Sequence, residues 1–425
     1  MTNHLPPRRF ERLHELLLLS TTFSLVIGWL VTIALPFSLF WSPYALFSPN
    51  LGQANALTVT TIAFVLSNLA VRRLRTTYPG VRSSGLIAPQ VFVIFGLSIL
   101  YVLLLRIDVS RFLLLCCGVT AVLWLHVEYV LLERYMRLKL AIIPGGQYTD
   151  DLLALPNVDA RRLETLDLNG RRFDGIVADF KHLSPDTERF LTRCALQRVA
   201  VYNASHVYES LTGRVKIHSM SENNIGSLLP SRYYEIAKAC MDLVAVILLM
   251  PAALLIGIIV AILIRIESPG PAIFKQTRVG QGGRPFTIYK FRSMRFDRSM
   301  PERFADEDDP RVTRVGRVIR KLRIDELPQF VNVLKGDMSL IGPRPEQPAF
   351  VAEYDRKIPF YNYRHVVKPG LTGWAQVRQG YTGTADETQV KIEHDFYYIK
   401  NSSIALDVMV AILTVKVIMT GFGAR

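Results

Sequence analysis

The sequence predicts three successive parts: a membrane α-helical bundle, a small α/β domain facing the cytosol, and an α+β domain carrying a re-entrant helix. Three observations predict this. Four apolar runs fill the first third of the chain, each near the roughly 20 residues needed to cross a bilayer. A polar stretch with short strand-like runs follows. A further apolar run is then flanked by basic residues on both sides and interrupted by Pro251.

The 425 residues are 50% hydrophobic, carry a formal charge of +14 and have a mean hydropathy of +0.23, so the chain is both apolar and basic. The length allows two or three domains. Such charge serves an inside-positive topology, anionic head groups or anionic substrates. No nucleic-acid recognition module is present, which argues against nucleic acid as a partner. Cys116, Cys117, Cys194 and Cys240 form neither a metal-ligand spacing nor a disulfide framework. A reducing, cytosol-facing protein is therefore expected.

The first part is expected at residues 1–136, with apolar runs at 16–37, 51–71, 86–105 and 112–132. Arg8, Arg9 and Arg12 precede the first run, and the loop after it is uncharged. Arg72, Arg73, Arg75 and Arg82 follow the second run, and Arg134, Arg137 and Lys139 follow the fourth. The positive-inside rule places both ends of the bundle in the cytosol. The first run lacks a small-residue cleavage site and should remain as an anchor. His126 and Glu128 lie near the cytosolic end of the fourth run; interfacial placement is favoured over an intramembrane relay.

Residues 137–228 read as a small, Rossmann-like α/β domain. Strand-like runs at 138–143, 173–180 and 198–202 alternate with a helix reaching Cys194, the pattern of a parallel sheet. Gly145-Gly146 is not a dinucleotide fingerprint, so a structural or regulatory spacer is favoured over a ligand site.

The third part is expected at 229–425. Its apolar run, 243–264, follows Arg232 and Lys238 and precedes Arg265, Lys275 and Arg278. Both flanks prefer the cytosol, which a re-entrant helix over about 236–265 satisfies and a straight fifth span does not. Pro251 removes an amide donor and clashes with the preceding turn, so it bends the helix. The run 404–419 is apolar but carries Asp407 and Lys416, which suits an interfacial or packed terminal helix.

The chemistry-bearing residues lie in this third part. The glycines of Val279-Gly280-Gln-Gly282-Gly283 predict a hairpin turn before a strand over 286–292. Lys290 and Arg292 would share one face of that strand. They read equally as a phosphate contact and as a solvated edge. Asp325 and Glu326 stand among Arg320 and Arg323, just before Pro328, which fits the first turn of a helix ending at Gly336. Carboxylates at a helix start often only balance its dipole. The added cations Arg320, Arg323 and Arg344 exceed that need and point to phosphoryl chemistry. A carboxylate pair can hold a divalent metal and supply a nucleophile. Pro343 and Pro345 restrict the backbone around Arg344, so its guanidinium is presented with little entropy loss. Trp374 sits in a turn-rich loop, as a stacking surface or an anchor.

Several motifs recur in order: Ser268-Pro-Gly-Pro271, Gln276-Thr-Arg278-Val-Gly280, Lys290-Phe-Arg292-Ser-Met294, Asp325-Glu-Leu-Pro-Gln329, Asn332-Val-Leu-Lys-Gly-Asp337, Gly342-Pro-Arg-Pro345 and Pro369-Gly-Leu-Thr-Gly-Trp374. With them the chain resembles the bacterial sugar transferases, the monotopic phosphoglycosyl transferases that prime polysaccharide synthesis, over residues 232–425. The preceding part resembles the large members, which add four membrane helices and a small nucleotide-binding-like domain. The resemblance implies transfer of a sugar 1-phosphate from a UDP-sugar to undecaprenyl phosphate, with release of UMP. It implies Asp325 as nucleophile through a phosphosugar–aspartyl intermediate, Glu326 as Mg2+ ligand, and Lys290, Arg292, Arg320 and Arg344 as phosphate-binding cations. It further implies Pro251 as the break of a re-entrant helix, and a multi-pass protein of the bacterial cytoplasmic membrane with its catalytic part on the cytosolic face, among membrane lipid. A homodimer is an arrangement the sequence allows.

Three positions depart from the family pattern. Ala239 follows Lys238 where Lys-Arg is common, with Asp242 retained; Met250 precedes Pro251 where Ser is common; and Arg378-Gln379 stands where Asn-Gly is common. The last bears on donor specificity. The rival function is a non-enzymatic scaffold or regulator of polysaccharide assembly. A lipid-flipping transporter is disfavoured by the few paired intramembrane charges.

Overall fold

A computed structural model describes residues 20–77, 84–136, 139–156, 158–168, 171, 173–181, 183–217, 229–295, 311–379 and 385–420. The chain divides into two compact units, Met1–Gly213 and Arg214–Arg425. The domain boundary expected at residue 228 falls outside the described residues, as do Arg8, Arg9, Arg12, Arg82 and the start of the first apolar run.

The first unit opens with four helices: α1 (Thr21–Phe40), α2 (Leu51–Thr77), α3 (Ser84–Leu104) and α4 (Arg111–Met136). Each contains a stretch long and apolar enough to cross a membrane. Ile33, Phe64, Val91 and Leu114 are fully buried in their shared core, while Leu97, Leu123 and many other apolar side chains face outward. A protein that exposes so much apolar helix surface needs lipid around it. Gly28 admits close packing: a Cβ there would lie 2.4 Å from Phe64 and 2.6 Å from the Trp124 ring nitrogen. Glu128 is buried between helices of the bundle. Arg72 Nη2 meets its Oε1 at 2.6 Å, Ser24 Oγ donates to its Oε2 at 2.9 Å, and Asn68 Nδ2 donates to Ser24 Oγ at 2.9 Å. An apolar surround would penalise a lone carboxylate by several kcal/mol, and these partners on α1 and α2 remove that penalty.

The α/β domain follows as β1 (Lys139–Ile142), α5 (Gln147–Leu153), β2 (Asp159–Arg162), β3 (Gly175–Ala178), α6 (Pro185–Leu196), β4 (Val201–Asn203) and α7 (Ala204–Thr212). All strands are parallel, in the order β2-β1-β3-β4. The alternation in β1 serves two cores. Leu140 and Ile142 join Tyr148, Val177 and Tyr208 on one face, and Ala141 joins Ile176, Phe190 and Cys194 on the other. The expected strands and the helix through Cys194 are present. The sequence missed β2, whose Asp159-Ala-Arg-Arg162 is an edge strand without apolar alternation. At the strand ends, a Cβ on Gly146 would lie 2.4 Å from Asp179 Oδ2. The Asp179 carboxylate therefore packs directly against Gly146.

The second unit begins with α8 (Arg232–Glu267), 36 residues in one continuous helical element with Pro251 inside it. The hairpin β5 (Ile273–Val279) and β6 (Pro285–Phe291) follows, antiparallel as expected. Then come α9 (Arg314–Lys321), a 3-10 turn (Ile324–Gln329), α10 (Phe330–Lys335), β7 (Ser339–Ile341) and α11 (Pro348–Lys357). A second 3-10 turn (Tyr361–Val366), β8 (Gly370–Thr372), α12 (Trp374–Arg378), α13 (Ala385–Lys400) and α14 (Ile404–Thr420) complete it. Strands β7 and β8 pair in parallel.

Both halves of α8 rest on the same body. Before Pro251, Val246 packs with Ile288, Phe330, Val333 and Met338. After it, Val260 and Ile264 pack with Ala272, Phe291 and Ile319. Polar contacts fix the two ends: Ser339 Oγ donates to Asp242 Oδ2 at 2.6 Å and Lys238 Nζ lies 3.2 Å from Asp407, while the Arg314 and Val315 amides donate to Glu267. Leu248 and Leu255, 73% and 66% exposed, mark the apolar face turned away from that body. The terminal helix α14 is packed, with Leu406, Met409 and Val410 fully buried. Its Asp407 accepts from Tyr234 and Tyr398 at 2.8 and 2.7 Å.

Candidate active site

The acidic pair sits on the 3-10 turn between α9 and α10. Arg323 enters that turn at φ 57°, a left-handed conformation that costs a non-glycine residue about 1 kcal/mol. The Arg323 carbonyl accepts from the Glu326 amide at 3.2 Å, which closes the turn. Pro328 lies inside the turn, and Gly336 ends α10 at φ 81°, as the sequence predicts. Asn332 then ties α10 to the hairpin. Its side chain donates to the Thr287 carbonyl at 2.7 Å and accepts from the Tyr289 amide at 3.2 Å. The neighbouring residue on β6, Lys290, is thereby fixed beside the turn.

Three cations converge on one oxygen. Glu326 Oε1 lies 3.1 Å from Arg344 Nη1, 3.7 Å from Lys290 Nζ and 3.7 Å from Arg323 Nη1. The Glu326 side chain is 7% exposed. Burial alone would raise its carboxyl, but the charges of Arg344, Lys290 and Arg323 outweigh burial and hold it down at about 2. The magnitudes agree: each pair contributes about 4 kcal/mol at this separation and an effective dielectric near 20, against several kcal/mol to bury the ion.

Asp325 behaves oppositely. Burial and the adjacent Glu326 charge push it up to about 6, with Lys290, Arg344 and Arg323 only partly offsetting them. Its Oδ1 is buried without a hydrogen-bond partner. Adjacent carboxylates thus differ in kind: Glu326 is a fixed anion inside a cationic cage, and Asp325 is a proton-poised carboxyl with an uncommitted oxygen. A small cavity lined by Lys290, Gln329 and Arg344 adjoins them. The Gln329 side-chain amide nitrogen is buried there without a partner.

The structure brings together Asp325, Glu326, Lys290 and Arg344 from the sequence-predicted set, and adds Arg323. Arg292 lies elsewhere. Its Nη1 donates to the Pro269 carbonyl and its Nη2 to the Ser268 carbonyl, both at 2.7 Å, and it is 6% exposed. Strand β6 ends at Phe291, so the alternation that would have aligned Arg292 with Lys290 stops one residue early. Arg320 is half-buried in the last turn of α9 and is not among the cations paired with Glu326. Trp374 is a buried anchor, 1% exposed, stacked on Tyr397 at 5.7 Å.

The sequence profile of the bacterial sugar transferases matches residues 233–421. A UDP-N-acetylgalactosamine-undecaprenyl-phosphate N-acetylgalactosaminephosphotransferase of Aeromonas hydrophila is 45% identical over 421 residues, 98% of this chain and 99% of that one. The chain belongs to the bacterial sugar transferase family. This sugar transferase is also similar to two UDP-glucose:undecaprenyl-phosphate glucose-1-phosphate transferases. The Escherichia coli protein is 44% identical over 161 residues, 37% of this chain and 34% of that one. The Caulobacter vibrioides protein is 43% identical over 198 residues, 46% of this chain and 74% of that one.

Membership agrees with the site chemistry, since a transferase of phosphorylated sugars needs cations to neutralise phosphate. Sequence reasoning left two parts of this transferase's site unassigned. Arg323 was legible as a neighbouring cation, but nothing in the sequence ranked it above Arg320. Gln329 carried no signal beyond its place in the Asp325–Gln329 motif. Among the described residues, no three His, Cys, Asp or Glu side chains cluster as a metal site. The ionised Glu326 carboxylate could serve a Mg2+ ion, which takes one or two carboxylates and completes its shell with water and substrate phosphate.

Proposed function

We propose that the protein transfers a sugar 1-phosphate from a UDP-sugar to undecaprenyl phosphate and releases UMP, as a priming step of polysaccharide synthesis. The observation that carries this is the split between the carboxylates: Glu326 is caged by Arg344, Lys290 and Arg323, while Asp325 keeps a buried, unpartnered oxygen. Ionised Asp325 attacks the sugar-proximal phosphorus. A carboxylate–phosphorus bond forms, the diphosphate bridge breaks, and UMP leaves with the bonding electrons. An oxygen of undecaprenyl phosphate then attacks the same phosphorus, releasing Asp325 and forming the lipid diphosphate sugar. Lys290, Arg323 and Arg344 lower the repulsion between the anionic nucleophile and the anionic diphosphate. A Mg2+ ion held by Glu326 would supply further neutralisation of the diphosphate. The placement of Arg320 on α9, one turn before the acidic pair, is compatible with a longer-range phosphate contact.

UDP-N-acetylgalactosamine is the donor we favour, because the relative matching over both units acts on it by name. We further propose that α8 is re-entrant and that the site lies on the cytosolic face of the bacterial inner membrane. Two features support this: polar and apolar contacts on both sides of Pro251 are made to one body, and both flanks are basic. The site would then lie at the head-group plane, where the lipid phosphate is.

The test is UMP release by purified protein in nanodiscs, with Mg2+, undecaprenyl phosphate and UDP-N-acetylgalactosamine, UDP-N-acetylglucosamine, UDP-galactose or UDP-glucose, beside Asp325→Asn. Release from one donor, lost in the variant, is expected. Equal release by Asp325→Asn would sink the assignment of the nucleophile.

A further inference from the structure

Arg344 is held from behind. The carbonyls of Pro343, Arg344, Pro345 and Glu346 each accept a hydrogen bond: from the Gly370 amide at 2.9 Å, Arg364 Nη2 at 2.8 Å, Arg278 Nη1 at 3.2 Å and the Val279 amide at 2.9 Å. The sequence explains why the support comes from outside. Pro343 and Pro345 have no N–H, so the loop cannot brace itself through its own donors. Arg364 is turned inward. Its Nη1 donates to the Tyr361 hydroxyl at 3.0 Å, and its Nη2 also meets Asp395 Oδ2 on α13 at 2.8 Å. Arg364 and Asp395 side chains are each 2% exposed, so both are sealed from solvent. A path of direct contacts therefore runs from Asp395 to Arg364, to the Arg344 carbonyl, and through the Arg344 side chain to Glu326.

We propose that Arg364, braced by Asp395, is a positioning residue that sets the place of Arg344 in the transfer reaction. The inference rests on the function proposed above. A lysine at 364 keeps the charge but lacks the planar fork that reaches Tyr361, Asp395 and the Arg344 carbonyl together. The competing role is purely structural: a buried Arg–Asp pair that stabilises the unit without acting through Arg344.

A double-mutant cycle separates the two. Arg344→Ala, Arg364→Lys and the double variant are compared in full-length protein in nanodiscs, by kcat and donor KM for UMP release and by thermal unfolding. Arg344→Ala is expected to lower kcat about 100-fold, the scale of losing one preorganised transition-state donor. Arg364→Lys is expected to lower kcat about tenfold with donor KM nearly unchanged. In the Arg344→Ala background the same change should cost less than about twofold, because residues acting in one unit are non-additive. A full tenfold loss in that background, or an unchanged kcat per folded molecule in the single variant, overturns the proposal. A wild-type rate for Arg344→Ala would instead reject the role assigned to Arg344 itself. Asp395→Asn keeps an acceptor for Arg364 and runs the same cycle if Arg364→Lys does not fold. A loss that shrinks in the Arg344→Ala background then supports the positioning role, and a loss that persists in full there overturns it.

Discussion

Arg344 donates from Nη1 to Glu326 Oε1 across 3.1 Å, joining a proline-flanked loop to the acidic pair. Arg344, with Lys290 and Arg323, holds the Glu326 carboxyl down at about 2, and the Glu326 charge adds to burial in pushing Asp325 up.

That coupling has a pH signature. Asp325 is pushed up to about 6 by burial and by Glu326, and its protonated form is no nucleophile. Transfer should therefore rise with pH through about 6 and level off above it. Lys290→Met removes a favourable charge and moves this acid limb to higher pH. Initial UMP-release rates from pH 5 to 8 compare the two proteins, with a shift in the opposite sense counting against the coupling.

Lys290 and Arg292, two residues apart, should fail differently. Lys290→Met is expected to lower kcat about 100-fold in a protein that unfolds near the wild-type temperature. Arg292→Met strands the Ser268 and Pro269 carbonyls, which now accept at 2.7 Å each, and should cost about 3 kcal/mol of stability. Its rate per folded molecule should stay within about threefold of wild type. Paired melting curves and rates check both, and a folded but inactive Arg292→Met would return that residue to the site.

Gly342→Ala probes the loop from its other end. A Cβ there would lie 2.4 Å from the Lys368 carbonyl and 3.0 Å from the Gly370 amide nitrogen, both backbone atoms that cannot rotate away. The crossing of β7 and β8 must open, at about 3 kcal/mol. Activity should fall further than stability, since Arg344 is two residues on. A thermal shift near zero would contradict this geometry.

In the helical bundle, Arg72→Leu leaves Glu128 without its cation and should cost about 3 kcal/mol. The double variant Arg72→Leu with Glu128→Leu removes both charges and should recover most of that loss. Thermal unfolding in nanodiscs gives the comparison; equal losses in the single and double variants would mean that the pair carries no coupling.

Much of this was legible in the sequence because local signals and tertiary structure agree. Run lengths and hydropathy marked four helices of the bundle, the glycines at 280, 282 and 283 marked the hairpin, and Pro328 and Gly336 framed the turn and helix of the acidic pair. Legibility ended where side chains choose between near neighbours. Arg320 and Arg323 differ by less than one helical turn, and it is Arg323, at a left-handed φ, whose Nη1 lies 3.7 Å from Glu326. Arg292 reads as a strand residue but lies one past the end of β6. Nothing local to Glu128 announces its pairing with Arg72, 56 positions away. Arg364 and Asp395, 31 positions apart, carry no local mark of their pairing or of the carbonyl they support. Each of these depends on long-range packing that no window of sequence contains.

Every residue of the carboxylate–cation set, with its bracing pair, lies within Arg214–Arg425. That segment has its own hydrophobic clusters, and the Caulobacter vibrioides relative aligns with this chain over 74% of its own length. The carboxylate–cation geometry is thus a self-contained cassette, assembled by contacts within one unit.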